Sequence, residues 1–66
     1  MVVELISVGT ELLLGNIVNT NAQYLGEQCA LLGLSIYNQC VVGDNKERLA
    51  EAFRTALKRS DLVILT

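Results

Sequence analysis

The chain has 66 residues, with 7 acidic and 5 basic side chains, no histidine, no proline and a net charge of −2. A hydrophobic content of 52% with 18% charged residues is too apolar for a disordered segment. No apolar run approaches the roughly 18 residues of a membrane span, and a chain this short forms one domain at most, burying only roughly 60% of the surface it exposes unfolded.

Met1 leads into Val2-Val3-Glu4-Leu5-Ile6 with no basic region and no small-residue cleavage site. Neither a signal nor a transit peptide is expected, and a cytoplasmic location follows. The basic residues fall in the second half, mostly in one predicted helix, so neither a nucleic-acid footprint nor a membrane partner is expected. Cys29 and Cys40 lack the paired spacing of zinc or redox motifs and read as small core residues in a reducing compartment.

Residues 2–8 are β-branched and aliphatic, closed by Gly9, and their near-continuous apolarity predicts a strand covered on both faces. Residues 10–18 have no clear period and contain Gly15, which predicts an ordered connection whose leucines pack under the sheet. Asn19, Thr20 and Asn21 offer helix caps, and Ala22, Leu25, Cys29 and Leu32 repeat at helical spacing until Gly33 offers a left-handed stop. A helix over 20–32 is the result.

Residues 34–42 are rich in strand formers with interspersed polar positions, which predicts an edge strand ending at Gly43. Asp44 with Glu47 three residues later resembles a capping box, and it opens a helix whose apolar face carries Leu49, Ala52, Phe53, Ala56 and Leu57. Lys58 and Arg59 suit the negative end of its dipole. Ser60 and Asp61 break the pattern before a short buried strand, residues 62–65. The order β-α-β-α-β calls for right-handed crossovers and a parallel sheet, which is half of a usual α/β domain.

In such sheets ligands bind beyond the carboxyl ends of the strands, which here are Gly9 to Glu11, Gly43-Asp44 and Thr66. Neither common phosphate-binding glycine motif is present, and without histidine, or a base near either cysteine, triads and zinc sites are excluded. Carboxylates and amides remain. Glu11 and Asp44 would project toward one rim, where oxygen ligands for a hard cation are conceivable. Each also has a plainer role: Asp44, Asn19 and Asn21 as caps, Gly9 and Gly43 as turn residues, Tyr24 and Tyr37 as half-buried packing groups.

The run Ser7-Val8-Gly9-Thr10-Glu11-Leu12-Leu13-Leu14-Gly15-Asn16-Ile17-Val18-Asn19-Thr20-Asn21-Ala22 resembles the opening of the CinA (competence and damage-inducible) family. Val41-Val42-Gly43-Asp44-Asn45 and Ser60-Asp61-Leu62-Val63-Ile64-Leu65-Thr66 resemble its next two landmarks in the right order. The resemblance implies the amino-terminal part of a molybdopterin-binding-type domain, a three-layer α/β/α sandwich with strand order 2-1-3. Gly9, Thr10, Glu11 and Leu12 match a G-D-E-L type motif, with Thr10 departing from its acidic residue.

By the same resemblance Asp44 is a catalytic or metal-holding aspartate, and Gly9, Thr10, Glu11, Asn21, Gly43 and Thr66 are ligand-binding positions. It further implies a divalent ion, magnesium or cobalt, a nucleotide or pterin ligand, and a homo-oligomeric parent. The implied activity is cleavage of the ADP-ribose pyrophosphate, with a separate nicotinamide-mononucleotide deamidase domain in many members. Non-catalytic pterin or nucleotide binding and molybdenum-cofactor synthesis are the alternatives. A glycine-rich loop ending in Asp follows the third strand in the family, so these 66 residues alone are expected to be inactive and poorly soluble.

Overall fold

A computed structural model describes all residues, 1–66. Its elements in chain order are β1 (Val2–Val8), α1 (Thr10–Leu13), α2 (Thr20–Leu31), β2 (Ser35–Val42), α3 (Lys46–Arg59) and β3 (Leu62–Leu65). The sheet is parallel in the order β2-β1-β3, as the sequence predicts. On β2, Ile36 pairs with Val3 and Asn38 with Glu4, leaving Tyr37 as the extra residue of a bulge.

Central position explains the composition of β1. Residues 3–7 are buried in succession, because both edges of the strand are paired and both faces are covered. Val3 and Leu5 pack with Cys29 of α2, surrounded by Leu25, Leu34, Ile36 and Ile64. Glu4 faces the other way, toward Arg59 of α3. The two longer helices therefore cover opposite faces, as right-handed crossovers require when the second leaves in the reverse direction along the sheet. Three layers result. Full burial of Val3, Leu5 and Ile6 contributes roughly 2 kcal/mol per side chain.

Glu4 is an acid on the most buried strand, with its side chain 3% exposed. Arg59 Nε and Nη2 donate to its two carboxylate oxygens at 3.0 and 2.7 Å, and the Ser60 hydroxyl donates to Oε1 at 2.8 Å. Those donors, Arg59 foremost, hold the Glu4 carboxyl below the usual carboxylate range against the smaller opposing effect of desolvation. On the α2 face the buried Ser7 hydroxyl accepts from Asn19 Nδ2 at 2.8 Å. No buried side-chain polar atom is left unpaired.

Helix ends follow local chemistry, with one correction. Asn19 caps α2 by accepting from the Ala22 N–H at 3.2 Å, and Gly33, at φ 76°, provides the left-handed stop beyond its carboxyl end. Asn45, not Asp44, caps α3: it adopts extended backbone, and its Oδ1 accepts from the Arg48 N–H at 3.0 Å. Glu47 then stands one place too early for a capping box and acts as an acid in the first turn.

Other expectations are also corrected. Residues 10–13 form a helical turn, and Leu13 and Leu14 are exposed instead of packing under the sheet. Cys29 is buried but Cys40, on the edge strand, is exposed. Tyr24 and Tyr37 are 61% and 74% exposed, so neither is half-buried, and Leu57 of the α3 face is exposed as well. No helix is long and apolar enough to cross a membrane.

Two predictions follow from these contacts and concern the full-length protein. Because the folded state holds the Glu4 proton more weakly than the unfolded chain does, this stabilisation is complete above the unfolded carboxylate pKa and is lost as pH falls through the lower folded value. Denaturant titrations should show Glu4→Gln costing about 1 kcal/mol at pH 7, with the gap to wild type narrowing under acid. Thermal melts should show Asn45→Ala losing about 1 kcal/mol and Asp44→Ala less than about 0.5 kcal/mol; a larger loss from Asp44→Ala than from Asn45→Ala would return the cap to Asp44.

Candidate functional site

Parallel pairing brings all three strand ends to one rim. The Gly9 N–H donates to the Val42 carbonyl at 2.8 Å and the Val8 N–H to the Thr66 carbonyl at 2.8 Å. The turns after β1 and β2 and Thr66 at the end of β3 are thus neighbours, with the β1 turn in the middle.

On the β2 side, the Thr10 hydroxyl accepts from the Asp44 N–H at 3.1 Å. Gly43 packs directly beneath α1: a Cβ there would stand 3.2 Å from Leu13 Cδ2, which would have to give by a few tenths of an ångström, and in ordinary contact with Thr10 Oγ1 at 3.5 Å. A second turn bond, from the Asn45 N–H to the Gly43 carbonyl at 2.7 Å, tightens the loop. The Asp44 carboxylate itself is exposed and makes no hydrogen bond or ion pair within the chain.

On the β3 side a cavity of about 210 Å³ opens between the β1 end and the start of α2. Its polar lining comes from Glu11, Asn19, Thr20, Asn21 and Thr66, and Val8 and Val18 are among its apolar walls. The Glu11 carboxylate folds back over Gly9, with Oε1 2.8 Å from the place a Cβ at Gly9 would occupy. Glu11 is the one ionisable side chain in the lining, and no Lys or Arg reaches it.

Of the residues singled out in the sequence, Glu11, Asn21 and Thr66 line this cavity. Gly9, Thr10, Gly43 and Asp44 belong to the adjoining turns and do not. The rim is one, but its two halves offer different chemistry: a free carboxylate on a tightly held turn, and a polar hollow with aliphatic walls. Sequence reasoning missed Asn19 as a wall of the hollow and Ser7 as the group that fixes it. The available signal was a serine inside a strand read as buried on both faces, since such a hydroxyl requires a partner.

The divalent ion implied by the CinA resemblance fits these residues poorly. Hard cations take six or more oxygen ligands, several of them carboxylates, and the chain contains no group of three or more Asp, Glu, Cys or His able to hold a metal. A lone Asp44 is not a metal centre.

Comparison with known proteins agrees with the geometry of the sheet. Residues 4–66 match the family described as "Probable molybdopterin binding domain". The chain is similar, at 65% identity over its whole length, to a "Putative competence-damage inducible protein" of Clostridium novyi (strain NT), and at 62% to a "CinA-like protein" of Kosmotoga olearia. It spans 16% of the length of each. Its fold superimposes with a TM-score of 0.93 on the crystal structure of the protein CinA, of unknown function, from Thermoplasma acidophilum. That match has 39% identity and covers 97% of this chain and 38% of the other. With matching strand order, parallel topology and sequence from end to end, the chain belongs to the probable molybdopterin binding domain family, as a CinA-like member of it.

Proposed function

We propose that this segment supplies one wall of the active site in a hydrolase that cleaves the pyrophosphate of ADP-ribose or a similar nucleotide, with Asp44 acting at the reacting phosphates. The observation that supports the reading is the state of Asp44. It is relieved of capping by Asn45, unpaired, open to solvent, and held by its backbone beside the β1 turn. A carboxylate kept free on a fixed turn at the ligand-binding rim suits positioning of an attacking water. The cavity alone is smaller than the roughly 300 Å³ at which small-molecule pockets begin, so it would take only part of such a substrate.

A second reading rests on the lining of that cavity. Amides, hydroxyls and one carboxylate between aliphatic walls, without a cation, favour a neutral heterocycle over a phosphate. A module that binds a pterin without turning it over would need nothing more. Calorimetry of the full-length protein with ADP-ribose and with molybdopterin precursors, in magnesium or cobalt, separates the two: binding without turnover favours the module.

For the leading reading, full-length Asp44→Asn should lose at least about 100-fold in kcat for ADP-ribose hydrolysis while its thermal midpoint stays near that of the parent. The change keeps the side chain's size and removes only its charge. Hydrolysis at the parental rate would eliminate the catalytic role of Asp44.

A further inference from the structure

We propose that Thr10 is a positioning residue for Asp44 and not a ligand contact. This rests on the reading of Asp44 given above and adds to it the group that sets the aspartate's place. The Thr10 hydroxyl accepts the Asp44 N–H at 3.1 Å across 34 residues of sequence. It is the one side chain hydrogen-bonded to the Gly43-Asp44 turn, and it stands on the first residue of α1, whose last residue, Leu13, lies against Gly43. The β1 end is joined to the same turn from beneath, through the Gly9 N–H and the Val42 carbonyl. Asp44 is therefore located by three contacts from one short segment, two fixed by backbone or packing and one by a hydroxyl.

The chemistry of position 10 follows. An acceptor is needed there, because without one the Asp44 N–H turns to water and the turn loses its lateral fix. A threonine accepts without charge. An aspartate, the residue of the G-D-E-L type motif, would also accept but would set a second negative charge beside the Asp44 carboxylate, where it would oppose the approach of a polyanionic substrate. Thr10 thus provides the fix without adding a second carboxylate beside Asp44.

The test uses full-length protein with Thr10→Val, Thr10→Ser and Thr10→Asp, reading amide exchange at Asp44 and steady-state hydrolysis of ADP-ribose. In Thr10→Val the Asp44 amide should exchange about tenfold faster and kcat should fall about fivefold with KM little changed; Thr10→Ser should restore both. Thr10→Asp should keep the amide protected and raise KM severalfold, an effect that weakens with added salt. Should Thr10→Val leave both the exchange rate and kcat at wild-type values, or should serine fail to rescue, the positioning role is overturned. The Asp44→Asn experiment stands apart: full activity there removes the underlying reading, whereas an inactive Asp44→Asn beside a normal Thr10→Val removes this inference alone.

Discussion

A parallel strand with neighbours on both sides has every backbone donor and acceptor engaged and both faces turned toward covering layers, so it tolerates only side chains that the two layers can satisfy. In this chain β1 is that strand, and residues 3–7 have almost no contact with water. Everything else is arranged about it. The order β2-β1-β3 sends the two crossovers in opposite directions, which puts α2 and α3 on opposite faces and brings the three carboxyl ends together.

The two polar residues of this buried strand do more than avoid a penalty. Glu4 and Ser7 point to opposite faces, and each joins one terminus of the helix on its own side: Glu4 the carboxyl end of α3 through Arg59 and Ser60, Ser7 the amino end of α2 through Asn19. Aliphatic packing lets a helix slide or rotate at small cost, whereas a bidentate guanidinium–carboxylate pair has one geometry. The pair is also asymmetric. Arg59 is half exposed and could turn to water, but Glu4 could not, so loss of the arginine would leave a shielded charge with Ser60 alone.

At the rim the same logic operates with weaker contacts. The α1 turn is short and carries no buried residue, yet it lies over Gly43 and lends a hydroxyl to Asp44. It links the free carboxylate on one side with the Glu11 and Asn21 hollow on the other. Because all five basic residues lie between Lys46 and Arg59, this hollow draws its polarity from amides, hydroxyls and one acid.

Much of this was legible in the residues. Apolar runs with β-branched residues set the three strands, helical spacing from Ala22 to Cys29 and from Leu49 to Ala56 set the two long helices, and Gly33 set a stop, because these signals depend on neighbours a few positions away. The GTELLLG run and the VVGDN run located the rim. Where the chain offers several equivalent local partners, its residues alone point the wrong way: to Asp44 as the α3 cap, to Cys40 as a core residue and to Leu13 and Leu14 packed under the sheet. Tertiary structure decided otherwise. Asp44 is drawn away from the helix because its N–H meets Thr10, a partner 34 positions distant, and Cys40 is exposed because its strand lies at the edge. Likewise Glu4 can be buried only because Arg59 arrives from 55 residues away. Local sequence sets which elements form; it carries no measure of such distances, so which polar groups become fixed and which stay free is settled by packing.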